Sequence, residues 1–66
     1  MSMREYPVRE FIKILNKNEW YYEHHDSVHY VYSKEGYSNK IVINHHERTV
    51  RPVIAKRIIK EGNLII

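Results

Sequence analysis

The sequence contains no cysteine. Disulfides and thiolate metal sites are therefore excluded as staples for a chain of 66 residues. Ordering each residue costs roughly 1.5 kcal/mol, and in so short a chain apolar burial offsets little more than that. A single compact domain over residues 1–66 is expected, with few residues to spare outside its core. Glycine and proline are also scarce, two of each, and there are no repeats, low-complexity tracts or linkers. No segment has the apolar core of a signal peptide, and no apolar run approaches the ~20 residues that span a bilayer. A soluble protein is the expectation, and the lack of cysteine suits a reducing cytoplasm.

What is present is basic and aromatic. The formal charge is +3 and the isoelectric point about 9.3. The excess is uneven: Arg48, Arg51, Lys56, Arg57 and Lys60 follow one another with no acid between Glu47 and Glu61. A basic C-terminal half is a plausible phosphate footprint, although a solvated helix face has the same composition.

The scarce prolines and glycines mark boundaries. Pro7 suits a first helical position, and Val8, Phe11, Ile12 and Leu15 then follow the i, i+3, i+4, i+7 spacing of an amphipathic helix. Asn16 and Asn18 mark its end. Trp20-Tyr21-Tyr22 and Val28-His29-Tyr30-Val31-Tyr32 are aromatic and β-branched and read as strands, with Glu23 to Ser27 between them. A turn from Ser33 to Asn39, centred on Gly36, leads to a third strand, Lys40 to Asn44. After a loop from His45 to Arg51, Pro52 opens a second helix. Its apolar stripe is Ile54, Ala55, Ile58 and Ile59, and it ends near Gly62. The tail Leu64-Ile65-Ile66 is expected to pack back on the core. The predicted order is α-β-β-β-α: an α+β fold with a three-stranded antiparallel sheet, two helices on one face, and the other face free for a ligand. Trp20 is expected in the core.

Five histidines invite a metal reading: His24, His25, His29, His45 and His46. Adjacent strand residues point to opposite faces, so His24 and His25 do not easily share an ion, and no cysteine joins them. No metal and no small-molecule cofactor are expected.

In this order of elements the chain resembles the HicA family of toxin–antitoxin toxins, whose fold is that of double-stranded-RNA-binding domains. Three segments carry the likeness. One is Leu15-Asn16-Lys17-Asn18-Glu19-Trp20, similar to the family's helix followed by an Asn-Gly-Trp turn. Another is Ser27-Val28-His29-Tyr30-Val31-Tyr32, similar to its Gly-Ser-His strand. The third runs from Ile41-Val42-Ile43-Asn44-His45-His46 through Val50-Arg51-Pro52 to Lys56-Arg57-Ile58-Ile59-Lys60-Glu61-Gly62-Asn63-Leu64. Two departures stand out. Glu19 replaces a glycine, which leaves any left-handed cap to Asn18. Ser27-Val28 replaces Gly-Ser; a shifted alignment keeps Ser27 as the family serine and puts His29 one position later, where histidine is also common. In either alignment His29 is the only histidine on the strand.

The resemblance implies a ribonuclease toxin that binds and cleaves mRNA, with His29 as its catalytic residue and a HicB-like antitoxin as its partner. RNA carries its own nucleophile, the 2′-OH, and histidine is suited to taking that proton because its ordinary pKa lies near neutrality. Lys40, Arg48, Arg51 and Lys56 are candidates for clamping phosphate, with His45 and His46 assisting. Tyr30, Tyr32 and Tyr37 are candidates for stacking unpaired bases. The competing reading is a module of the same fold that binds RNA or protein without cutting.

Overall fold

The computed structural model describes residues 4–66. Strand β1 (Tyr6–Pro7) leads directly into helix α1 (Val8–Lys17). Strands β2 (Tyr21–His25), β3 (His29–Ser33) and β4 (Ile41–Asn44) follow, then β5 (Thr49–Val50) and helix α2 (Pro52–Glu61). The three middle strands form an antiparallel sheet in the order β2-β3-β4. This is the predicted α+β architecture, except that β2 runs on through Glu23, His24 and His25, which the sequence places between the strands, and with one addition. The two-residue strands β1 and β5 pair with each other, Tyr6 opposite Val50 and Pro7 opposite Thr49, and tie the start of α1 to the segment before α2. Pro7 is accordingly the cap of α1 rather than its first residue, and the first helical amide, that of Val8, donates to the Arg48 carbonyl at 2.9 Å.

Alternation along the strands gives the sheet two unlike faces. Tyr32, Ile41 and Ile43 point toward the helices and form one core with Phe11, Leu15, Trp20, Ala55, Ile58 and Leu64. Tyr21, His24, His29, Val31, Val42 and Asn44 occupy the opposite, uncovered face, as the register of β2, β3 and β4 requires. The α1 stripe is as expected, with Phe11 and Leu15 fully buried. The α2 stripe differs at one position: Ala55 and Ile58 are buried and Ile59 packs against them, but Ile54 is 39% exposed. Leu64 alone of the apolar tail enters the core, while Ile65 is 81% exposed. Instead, Asn18 holds Ile65 by its backbone: Oδ1 accepts from the Ile65 amide at 2.8 Å, and Nδ2 donates to the Ile65 carbonyl at 2.9 Å.

Both helices end in the same way. Trp20 N–H donates to Leu15 and Glu19 N–H to Asn16; Leu64 N–H donates to Ile59 and Asn63 N–H to Lys60. Each is a Schellman motif, whose left-handed residue is followed by an apolar side chain that packs on the core. Contrary to the expectation for Asn18, the left-handed residue of the first motif is Glu19, at φ 67°; that of the second is Asn63, at φ 52°. Asn18 itself stays at φ −97° because its side chain is occupied in the clamp on Ile65 and in a bond to the Ile14 carbonyl. Gly62 leaves little room for a side chain: a Cβ there would lie 3.2 Å from both Ile41 Cδ1 and the Ile58 carbonyl oxygen, so its neighbours would have to give by a few tenths of an ångström. Among the described residues no helix is long and apolar enough to cross a membrane.

Candidate active site

The β2–β3 connection is a tight turn built by Asp26. Its amide donates to the His29 carbonyl at 3.0 Å, and its Oδ1 accepts from the amides of Val28 at 3.0 Å and His29 at 2.8 Å. Aspartate favours such turns because its short carboxylate can bond backbone groups two and three residues on. Those two bonds, from Val28 first and His29 second, hold the Asp26 carboxyl below the usual aspartate range. They also use up both amides, so this turn has neither free to hold a phosphate.

His29 begins β3 on the uncovered face, and its ring is partly exposed. Its Nδ1 lies 3.3 Å from Asp26 Oδ1, so a carboxylate stands beside one ring nitrogen. Directly across the ladder stands Asn44, whose Cα is paired with that of His29. Facing residues of antiparallel strands have Cβ atoms about 5 Å apart, so the two side chains are neighbours. Asn44 Oδ1 accepts from the His46 amide at 2.9 Å. That bond fixes the amide's orientation and leaves Nδ2 without an acceptor among the described residues.

The loop after β4 leans on the same turn. The His45 amide donates to the Val28 carbonyl at 2.9 Å, and His46 Nε2 lies 3.0 Å from the Ser27 carbonyl. The rings of His45 and His46 stack at 4.6 Å between centroids, and His45 stacks on Tyr30 at the same separation. Arg48 and Arg51 are exposed at the end of this loop and at the cap of α2. His29, His45, His46, Arg48 and Arg51 thus belong to the strand-end carrying the Asp26 turn and to the segment that follows β4, but His45 stacks on the helix-facing Tyr30 and not on the face that carries His29.

Other predicted residues lie elsewhere. Lys40 precedes β4, four residues from Asn44 and hence ~13 Å along the strand, and its ammonium is paired with Glu23. That bond is the main cause of a lowered Glu23 pKa. Lys56 lies on the solvent side of α2. Tyr30 and Tyr32 face the helices rather than the uncovered face. Tyr32 is 4% exposed and leaves no ring face for a base; burial, with Tyr30 and Tyr22 beside it, raises its pKa. Tyr37 packs edge-on against Trp20 at 4.9 Å. The exposed tyrosine on the uncovered face is Tyr21, a residue outside the expected site. Among the described residues no three histidine, aspartate or glutamate side chains are grouped to hold a metal ion.

Sequence comparison adds one finding. A family model described as "HicA toxin of bacterial toxin-antitoxin" matches residues 8–64. Neither the curated proteins nor the solved structures give a match.

Proposed function

The chain belongs to the HicA toxin family, and from that premise we propose that it is an RNA-cleaving toxin in which His29 is the general base. The observation that supports this role is the approach of His29 Nδ1 to Asp26 Oδ1 on a partly exposed strand end. A carboxylate at Nδ1 holds the ring in one tautomer and stabilises the imidazolium formed when Nε2 accepts a proton. In the proposed step Nε2 removes the proton of a ribose 2′-OH. The O2′ forms a bond to the adjacent phosphorus, the bond from phosphorus to the 5′ oxygen breaks, and that oxygen takes up a proton from water. The product is a 2′,3′-cyclic phosphate and a free 5′-hydroxyl.

Arg48 and Arg51 are the cations best placed to meet the phosphate in this reading. They follow the loop that is bonded to the Asp26 turn, whereas Lys40 is already paired and distant along its strand. His46 assists by holding Asn44. The toxin would act in the cytoplasm, where mRNA is found. A HicB-like antitoxin would neutralise it, and an acidic partner surface would compete with RNA for the same arginines.

The test is induced expression in a bacterial host with transcript mapping. Wild type should arrest growth and shorten transcripts. His29→Ala should lose both while the purified protein keeps its melting temperature and its RNA binding, with the cleavage rate down by on the order of 10²- to 10⁴-fold. Unaltered transcripts with wild type, alongside retained RNA binding, would instead favour the non-cutting module.

A further inference from the structure

Beside the candidate site lies a recess between the outer edge of β4 and the β5–α2 junction, of about 260 Å³. Its apolar walls include Val42 and Ile54, the residue displaced from the expected core stripe, and both are substantially exposed. Its polar groups are Asn44, Glu47, Thr49 and Arg51. Among the described residues, no further strand pairs with the outer edge of β4.

We propose that this recess is a guanine-binding slot for the RNA strand cut at His29, an inference that rests on the RNA-cleaving reading above. Three features favour a nucleobase over a folded partner. The volume is below the ~300–1,000 Å³ of pockets for drug-sized ligands and suits a single planar ring system. Aliphatic walls accept the faces of a base, and Arg51 on the rim meets the charge of the adjoining phosphate. Above all, the slot is continuous with the candidate catalytic residue: Asn44 lines the recess and is also the cross-strand neighbour of His29. A base held there places the attached ribose and phosphate beside the imidazole.

Glu47 selects the base. An ionised carboxylate only accepts hydrogen bonds, through two oxygens side by side. Guanine alone among the four RNA bases presents two adjacent donors on its pairing edge, N1–H and the N2 amino group. The side chain of Glu47 has no ion-pair partner among the described residues, and its carboxylate is available for that contact.

The experiment is titration of the His29→Ala protein with 3′-GMP, 3′-AMP, 3′-CMP and 3′-UMP in turn, followed through backbone amide shifts. We expect 3′-GMP to move the amides of Val42, Asn44, Thr49, Arg51 and Ile54 and to bind about tenfold tighter than the other three. Glu47→Gln should remove the preference while leaving the melting temperature unchanged. Equal binding of the four nucleotides, an undiminished preference in Glu47→Gln, or shifts confined to the opposite end of the sheet around Tyr21 would each overturn the assignment. If no nucleotide moves the recess amides, the slot is also wrong and the recess is left to a protein partner. Wild-type protein that cuts RNA without regard to guanine would sink the slot and keep the nuclease. Protein that holds 3′-GMP in the recess yet cuts nothing would do the reverse.

Discussion

Asp26 and His29 are joined twice through one oxygen: Asp26 Oδ1 accepts the His29 amide at 2.8 Å and lies 3.3 Å from the His29 ring nitrogen Nδ1. The carboxylate that builds the turn at the start of β3 therefore also stands beside the imidazole. Asp26→Asn separates the two roles. The amide oxygen of asparagine still accepts from Val28 and His29, so the turn persists, but the negative charge facing Nδ1 is gone. RNA cleavage should fall by on the order of ten- to a hundredfold, less than in His29→Ala, where the base itself is removed. Cleavage rates alongside melting curves check this; a variant that keeps full activity would leave Asp26 with a turn-forming role alone.

The same carboxylate makes the hairpin sensitive to acid. In the folded chain Asp26 holds its proton less tightly than an ordinary aspartate, because the Val28 and His29 amides bond its charged form. Its contribution to stability is fully present above the ordinary aspartate pKa of ~3.9, and it is lost as pH falls through the lower folded value. Glu23, lowered chiefly by its bond to Lys40, acts in the same direction. Carboxyl-carbon NMR titration should give both residues midpoints below their usual values. The stability of Asp26→Asn should fall less steeply than that of wild type in the acid range. An ordinary midpoint for Asp26 would contradict the turn as described.

Glu19 carries the backbone strain of the α1 cap. A side chain at φ 67° costs on the order of 1 kcal/mol, and glycine adopts this conformation without that cost, though with a looser unfolded chain. Glu19→Gly should therefore raise stability by about 0.5 to 1 kcal/mol, and Glu19→Val, with its β-branch, should lower it. In a domain of this size each kcal/mol moves the melting temperature by about 4–8 °C, so calorimetry resolves both changes.

Most of the fold was legible because its determinants are local. The prolines, the i, i+3, i+4 stripe of α1 and the aromatic and β-branched runs each report on a few neighbouring residues. The misreadings arose where the answer depends on faces or on distant partners. Period-two alternation puts Tyr30 and Tyr32 on the face opposite His29, so they do not serve as base platforms beside it. The β1–β5 pairing rests on two residues at each end and has no pattern to detect. Ile54 matched the spacing of the α2 stripe, but it falls on the side turned to the edge of β4 rather than to the sheet. Asn44 was missed because nothing in its neighbours says that it stands across from His29; only the strand register does.

Salt dependence separates the cations that meet RNA from those that do not. Each phosphate contact on a single strand contributes about −0.7 to the slope of log affinity against log salt concentration. In the non-cutting His29→Ala background, RNA binding should weaken steadily with added salt. Arg51→Ala should weaken it further at low salt and make the slope shallower by about one contact, because Arg51 lines the recess that Asn44 joins to His29. Arg48→Ala should behave likewise. Lys40→Ala should leave the slope unchanged, since its ammonium is already neutralised by Glu23 and lies at the other end of β4. The measurement is fluorescence anisotropy of a labelled RNA across a salt series for the four proteins. If Lys40→Ala alone changes the slope, the RNA path runs along the Tyr21 end of the sheet, and the His29 end is not where phosphate is held.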